Sequence, residues 1–277
     1  MHDRIRPRDE EVVKQICRFR ERRSATRLKS VAGSGVPNQL CVEGRRRCGA
    51  RGAWSDLSGA GFTASPQRCA TLAETMAETA ATTARRYDRI AGFYDLWASP
   101  MELLGLRAKR QRLFGAARGR TLEVGVGTGR NLDYYPAGLE LVAIDLSPRM
   151  LARARRRVER LGRPVGLEVA DVAALPFAED SFDTVTAACL FCSVADPVAG
   201  LAELRRVIKP DGQILLLEHV RPQNRLLGLI ADAVSPLTRR LFGPSLNRRT
   251  ETNAAAAGLT LTQVRRDGIW REITAGK

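Results

Sequence analysis

The stretch 122–131 reads LEVGVGTGRN. Two apolar residues flank the carboxylate of Glu123, and glycines then follow at alternate positions, Gly125, Gly127 and Gly129. An apolar run that closes on such a series is expected to be a strand turning sharply into the N-terminus of a helix. Glycine permits positive φ at the turn and lets a ligand approach the backbone closely. In an open parallel sheet the ligand sits in that place, beyond the carboxyl ends of the strands where their order reverses.

Outward from this turn the chain keeps one alternation. Strands are expected at RTLEVG (120–125), ELVAID (140–145), GLEVA (166–170), FDTVTAACL (182–190), QILLLEHV (213–220), LTLTQVRR (259–266) and IWREIT (269–274). Between them, Ser147 is placed to cap a helix that Pro148 begins, with Leu151, Ala154, Val158 and Leu161 on one face, before Gly162 and Pro164 stop it. Asp196 and Pro197 open another, burying Leu201, Leu204 and Ile208, and K-P-D-G (209–212) is expected to turn into the next strand. Such alternation gives an α/β fold, a mostly parallel sheet with helices on both faces. The last two strands have only Asp267 and Gly268 between them, which makes an antiparallel hairpin.

Two further carboxylates define the ligand. Asp145 ends the second strand, where an acid accepts hydrogen bonds from both ribose hydroxyls. Asp171 follows the third, in EVADVAALPF, where an acid can accept from an adenine amino group. The ligand is therefore an adenosine derivative, a nicotinamide cofactor or S-adenosylmethionine. A dinucleotide site carries G-x-G-x-x-G. Here the spacing is G-x-G-x-G followed by Arg130, and Glu123 opposes a pyrophosphate while favouring a cationic methionine moiety. An NAD(P)-dependent oxidoreductase stays as the alternative from another class.

Composition sets the bounds. The chain has 277 residues and 45 Lys plus Arg against 30 Asp plus Glu, a net charge of +15, so anionic partners deserve consideration. Residues 1–75 carry 15 basic and 8 acidic side chains among Gly, Ser and Pro with no sustained apolar period. They are expected to be a disordered basic extension. It is either a nucleic-acid-binding arm or, the preferred explanation, sequence upstream of a biological start at Met76. Aromatic residues are sparse at 5%, and no nucleic-acid partner is expected. Residues 76–118 form a helical lid segment and 119–277 the ligand-binding domain. Without an apolar run long enough to span a bilayer or a secretory signal, the chain is expected in the cytoplasm. Cys17, Cys41, Cys48 and Cys69 lack metal-ligand spacing. Cys189 and Cys192 form C-x-x-C, but on a buried strand residues three apart point to opposite faces. No metal site is expected.

With these residues in hand, 85–277 resembles a class I S-adenosylmethionine-dependent methyltransferase: LEVGVGTG is similar to the family's first motif, AIDLSPRML to the acidic one after it, and ADVAALPFAEDSFDTV to the adenine-side one. The resemblance implies a Rossmann-like, seven-stranded sheet with one antiparallel strand and S-adenosylmethionine as cofactor. Its cofactor-binding set falls on Glu123, Gly125, Gly127, Thr128, Gly129, Asp145, Leu146, Asp171, Val172 and Cys189. More narrowly, YDRIAGFYD (87–95), FCSVADPVAGLAELRRVIKPDG (191–212), LLLEHV (215–220) and NRRT (247–250) together resemble bacterial phospholipid N-methyltransferases acting on phosphatidylethanolamine and the membrane-associated thiol methyltransferases of animals. YDRIAGFYD and ALPFAEDSFD are similar also to the quinone C-methyltransferases. The acceptor is thus expected to be a lipid amine, or alternatively a quinone precursor or another small molecule.

An amine acceptor must lose a proton before it attacks, and a carboxylate, histidine or tyrosine near the sulfonium can take it. His219 and Tyr94 are the catalytic candidates, with Glu218 and Tyr87 beside them. As strand neighbours, Glu218 and His219 are not expected to face one pocket. Lastly, NRLLGLIADAVSPLTRRLF (224–242) sets Leu226, Leu229 or Ile230, Ala233, Leu237 and Leu241 at helical spacing beside Arg239 and Arg240. Such a face either covers a core or lies on lipid with arginines against phosphates, a peripheral membrane contact.

Overall fold

A computed structural model describes residues 80–241 and 243–277. The expectations for the extension 1–75, its four cysteines, the start at Met76 and the first residues of the lid segment lie outside the described residues, as does the side chain of Leu241. The chain begins with helix α1 (80–90) and α2 (Tyr94–Met101), which runs through a π turn, Glu102–Leu106, into α3 (Arg107–Phe114). Then come β1 (Arg120–Val124), β2 (Glu140–Asp145), α4 (Pro148–Leu161), β3 (Val165–Val169), β4 (Phe182–Ala188), α5 (Pro197–Val207) and β5 (Ile208–His219). Helices α6 (Arg225–Leu241) and α7 (Thr250–Ala256) precede the hairpin of β6 (Thr260–Asp267) and β7 (Trp270–Gly276).

The seven strands form one sheet in the order β3-β2-β1-β4-β5-β7-β6. All pairs are parallel except those of β7, which runs antiparallel to both β5 and β6. Strand order reverses between β1 and β4, so the crevice expected for a ligand opens at their carboxyl ends. Side-chain alternation assigns the two faces: Leu122, Val124, Ile214 and Leu216 join one core with α5, while Leu215 and Leu217 join the other with Phe114, Leu132, Leu151 and Ala154. Glu123 falls on the second face, fully buried.

The punctuation expected for two helices is present. The Ser147 hydroxyl accepts from the Met150 amide at 3.1 Å, and Gly162 closes α4 at φ 62°. The Asp196 carboxylate accepts from the Ala199 amide at 3.0 Å. Each such cap is worth about 1 kcal/mol.

Three local expectations are corrected. No α-helix follows the glycine turn, only the 3-10 helix Leu132–Tyr134, because Tyr135 precedes Pro136 and is held extended at ψ 140°. K-P-D-G is not a free turn but a bulge within β5: the pairing steps from Phe182 with Ile208 to Thr184 with Gln213. And β4 ends at Ala188, so Cys189 adopts φ 51° and the chain curls back, placing Cys189 and Cys192 on one side instead of opposite faces.

The expected apolar face of α6 points away from the domain. Gly228, Ala231 and Ser235 are the buried positions, whereas Leu226 (67%), Leu229, Ile230, Ala233 and Leu237 (57%) are exposed. Close approach explains the small residues. A Cβ on Gly228 would stand 2.4 Å from the Arg221 guanidinium, which pairs with Asp232 at 2.8 Å. No helix among the described residues is long and apolar enough to cross a membrane.

Candidate active site

Two adjoining cavities meet at the carboxyl ends of β1 and β4. The first is lined by Gly125, Gly127, Asp145, Leu146, Asp171, Val172 and Cys189, so seven of the ten residues of the expected cofactor-binding set come together there. Tyr87 and Tyr94 of the N-terminal helices close its open side. Asp145 is oriented by the backbone: its Oδ2 accepts from the Gly127 amide at 2.8 Å and its Oδ1 from the Ser147 amide at 2.8 Å. Burial pushes its pKa up to about 6 against the pull of those hydrogen bonds. Asp171 Oδ1 accepts from the Ala173 amide at 2.9 Å.

The three glycines serve different ends. A Cβ on Gly129, at φ 87°, would stand 2.9 Å from Leu132 Cδ1 and 3.3 Å from Ala154 Cα, so this position is fixed by packing under α4. Gly127, at φ 56°, has nothing within 4 Å of its missing Cβ, and with Gly125 it borders both cavities.

The second cavity is roomier, about 430 Å³ against 140 Å³. Thr128, His219, Trp270, Glu102, Arg110 and Arg130 line it, together with Tyr87, Tyr94 and both cysteines of the C-x-x-C. Ile269 and Leu246, both partly exposed, make its rim apolar. His219 stands edge-on to Trp270, ring centroids 6.1 Å apart, and burial lowers its pKa to about 4, so the imidazole is neutral at physiological pH. Burial raises the phenols of Tyr87 and Tyr94 above their ordinary value. They stay protonated, which removes Tyr94 as a proton acceptor at neutral pH and leaves it as a wall and hydrogen-bond donor.

Glu123 lines neither cavity. Its Oε1 accepts from Asn131 Nδ2 at 2.7 Å, and burial pushes its pKa up to about 7. As expected, Glu218 and His219 part company. Glu218 is fully buried, and its Oε1 accepts from the Leu190 and Phe191 amides at 2.8 and 3.0 Å, clamping the turn that carries Cys189. Sequence reasoning missed Glu102, Arg110 and the clamp by Glu218. No motif marks them, since the first two reach the cavity from helices far upstream of the glycine turn.

The donor set fits a sulfonium nucleoside. Two acids follow β2 and β3 beside apolar Ile144, Leu146 and Val172, and among the described residues no lysine or arginine lines the first cavity. The charged side chains there, Asp145, Asp171 and Asp196, are all carboxylates, which oppose a pyrophosphate and favour a cationic ligand over the NAD(P) alternative.

Similarity to known proteins agrees. The family described as "Methyltransferase domain" matches residues 122–216. The phosphatidylethanolamine N-methyltransferase of Cereibacter sphaeroides is 34% identical over 155 residues, which cover 53% of this chain and 76% of that protein. The demethylmenaquinone methyltransferase of Thermus thermophilus is 40% identical over 114 residues, covering 40% of this chain and 52% of the relative. Among solved structures, an S-adenosylmethionine-dependent methyltransferase of Thermotoga maritima superimposes with a TM-score of 0.55 at 19% identity, over 70% of this chain and 99% of the other. The chain belongs to the class I S-adenosylmethionine-dependent methyltransferases, in the group that holds the phosphatidylethanolamine and quinone enzymes. It is a methyltransferase, and S-adenosylmethionine is its cofactor.

Proposed function

We propose that the chain N-methylates the amine head group of a phospholipid such as phosphatidylethanolamine, while resting on a membrane surface. The observation that carries this reading is α6. Leu226, Leu227, Leu229, Ile230 and Leu237 face outward, Arg239 and Arg240 sit in its last turn, and the segment just beyond it supplies Pro244 and Leu246 to the wall of the second cavity. An apolar face on acyl chains with arginines at phosphate level would bring that cavity to the head groups. The Cereibacter relative supports the same acceptor.

In this reading S-adenosylmethionine, when bound, supplies an electrophilic methyl group. The chain's own residues do the rest. Asp145 accepts from the ribose hydroxyls, and Asp171, Leu146 and Val172 enclose the adenine. Gly127 brings bare backbone against the ligand and Thr128 and Cys189 border it, while Gly125 and Gly129 hold the turn in shape. The described part of the lid segment, residues 80–118, closes over the site: Asp88 accepts from Ser147 Oγ at 2.5 Å, and Asp95 accepts from Thr128 Oγ1 at 2.6 Å and Arg130 Nε at 2.8 Å. The lid excludes water and orients the reactants, from which much of the rate of an in-line displacement comes. The amine enters after giving up its proton to solvent, and His219, held neutral, accepts a hydrogen bond from its N–H at an imidazole nitrogen, leaving the lone pair free for the methyl group, while Tyr94 shapes the passage.

A second reading, C- or O-methylation of a quinone precursor, rests on the demethylmenaquinone relatives. Both are tested by offering methyl-labelled S-adenosylmethionine with phosphatidylethanolamine vesicles or with demethylmenaquinol. Label in monomethylated phosphatidylethanolamine is expected. Label in the quinol alone overturns the lipid reading.

A further inference from the structure

We infer that Arg110 and Glu102 form the subsite for the amino-acid end of the cofactor, with the carboxylate received by Arg110 and the ammonium by Glu102, and that Glu123 acts only behind them. The inference concerns a part of the donor site that the glycine turn and the two strand-end acids leave undefined.

A methionine carboxylate held out of bulk water needs a cation or several donors, because an unpaired buried charge is costly. Among the described residues the first cavity offers no basic side chain, and the second offers two guanidinium groups, Arg110 and Arg130. Arg130 is spent. Its Nε and Nη2 donate to the Asp95 carboxylate and carbonyl, and its Nη1 pairs with Glu102 at 3.2 Å. Arg110 is not. Its Nε donates to Glu102 at 3.0 Å and its Nη1 to Asn131 Oδ1, while its Nη2 has no hydrogen-bond partner among the described residues. The side chain is 9% exposed, and that residue borders the cavity.

The position is right for a ligand that enters past the acids. Gly125 and Gly127 border both cavities, so a molecule with its ribose at Asp145 crosses them before it reaches Arg110. Glu102 completes the pair: one oxygen accepts from Arg110 and Arg130. A guanidinium beside a carboxylate complements a zwitterion, one charge for each of its own. A phosphodiester would want the cations without the acid, so the charge pattern favours the amino acid over a lipid phosphate. Glu123 then has a positioning task. Through Asn131, to which it is bonded at 2.7 Å, it fixes the amide whose oxygen holds Arg110 in place.

The test compares two ligands that share the nucleoside and the thioether sulfur. S-adenosylhomocysteine carries the amino acid, and 5′-methylthioadenosine lacks it. Calorimetry on the full-length chain should show Arg110→Gln losing affinity for S-adenosylhomocysteine by about tenfold to a hundredfold, the worth of a hydrogen bond to a charged group. Affinity for methylthioadenosine should stay as in the wild type, which also proves that the donor site is folded. Glu102→Gln should show the same selectivity with a smaller loss. Arg110→Lys, which keeps the charge without the fork, should fall between Arg110→Gln and wild type. Glu123→Gln can still accept from Asn131 and should bind both ligands within a few-fold of wild type. Equal loss of both ligands in the Arg110 variants would assign the residue a merely structural role and overturn the inference. So would unchanged S-adenosylhomocysteine affinity with a raised KM for lipid vesicles, which would give Arg110 to the acceptor, and so would a large, selective loss in Glu123→Gln.

Discussion

In the first cavity the groups proposed to hold the donor sit at strand ends: Asp145 closes β2, Asp171 comes just after β3, and Gly125 and Gly127 follow β1. Backbone amides hold the acids in place, and the sheet spaces them. The second cavity is assembled differently. Glu102 and Arg110 come from the helices before the sheet, His219 and Trp270 from paired strand ends, and Leu246 from the segment after α6. Its side chains are held by each other, Arg110 by Glu102 and Asn131. A site fixed by backbone geometry serves a ligand that never changes. With Arg110 and Glu102 given to the donor, the rest of the second cavity, around His219, Trp270 and Leu246, can be altered one segment at a time, and this is where relatives methylating lipids and quinones are expected to diverge.

The sharpest way to break this contrast is at Asp145. Asp145→Ala removes the acceptor proposed for the ribose and frees the Gly127 and Ser147 amides, so affinity for S-adenosylhomocysteine is expected to fall by about a hundredfold. Circular dichroism should show the fold retained. Unchanged affinity would mean that the ribose lies elsewhere. Next in size is a pair of glycines. Gly129→Ala sets a Cβ 2.9 Å from Leu132 and 3.3 Å from Ala154 Cα and should destabilise the fold by about 1–3 kcal/mol in urea titration. Gly127→Ala meets no protein atom within 4 Å, so it should cost only the strain of positive φ, about 1 kcal/mol, while weakening the donor more than its stability loss suggests. If the two variants behave alike, the separation into a packing glycine and a ligand glycine is wrong.

The same contrast explains what could be read from the amino acids. Strand-end acids and the glycine turn are local in sequence, so a spacing reveals them, and the strands, the caps at Ser147 and Asp196 and the final hairpin follow from period and punctuation. Even there, the expected helix after Gly129 failed because Tyr135–Pro136 stops it, and the outward face of α6 could not be told from an inward one, since periodicity shows that a helix has two sides without saying which is covered. Arg110 and Glu102 sit in an arginine-rich helical stretch where a solvated charge is the ordinary expectation. Only folding brings them to the glycine turn. The motif acid Glu123 is the opposite case: its place beside the glycines suggests contact, while in the structure it lines neither cavity and accepts from Asn131.

Buried carboxylates give a smaller effect with an unusual sign. Burial raises Glu123 and Glu218 to about 7 and Asp145 to about 6. A carboxyl whose folded pKa is raised binds its proton more tightly folded than unfolded, so stability falls as pH rises from the unfolded value to the folded one. His219, lowered to about 4, acts oppositely: the unfolded chain gains its proton first, and stability rises with pH up to the ordinary histidine range. Above about pH 5, where the lowered carboxylates Asp95, Asp183, Asp232, Glu251 and Asp267 are ionised folded and largely so unfolded, three raised groups against one leave the ligand-free protein losing stability up to about pH 7. Glu218→Gln keeps an acceptor for the Leu190 and Phe191 amides and removes one titration. Urea midpoints across that range should then flatten by about 1 kcal/mol per pH unit. An unaltered slope would show that Glu218 is ionised throughout.

The smallest effect on the folded chain is expected where the acceptor side meets its surroundings. Ile230 and Leu237 lie on the side of α6 opposite Gly228, Ala231 and Ser235, the positions that hold the helix to the domain. Replacing both with aspartate removes nothing from the core, and exposed substitutions of this kind change stability by about 0.5 kcal/mol or less. S-adenosylhomocysteine affinity should be untouched, because among the described residues no α6 side chain lines the donor cavity. Binding to anionic vesicles should nevertheless drop by about tenfold or more, since two apolar anchors become charges repelled by the surface. Co-sedimentation at low salt separates the outcomes. A variant that unfolds instead would place this face against another part of the protein, and a variant that binds vesicles as before would detach α6 from the membrane, leaving the acceptor to reach the second cavity by diffusion.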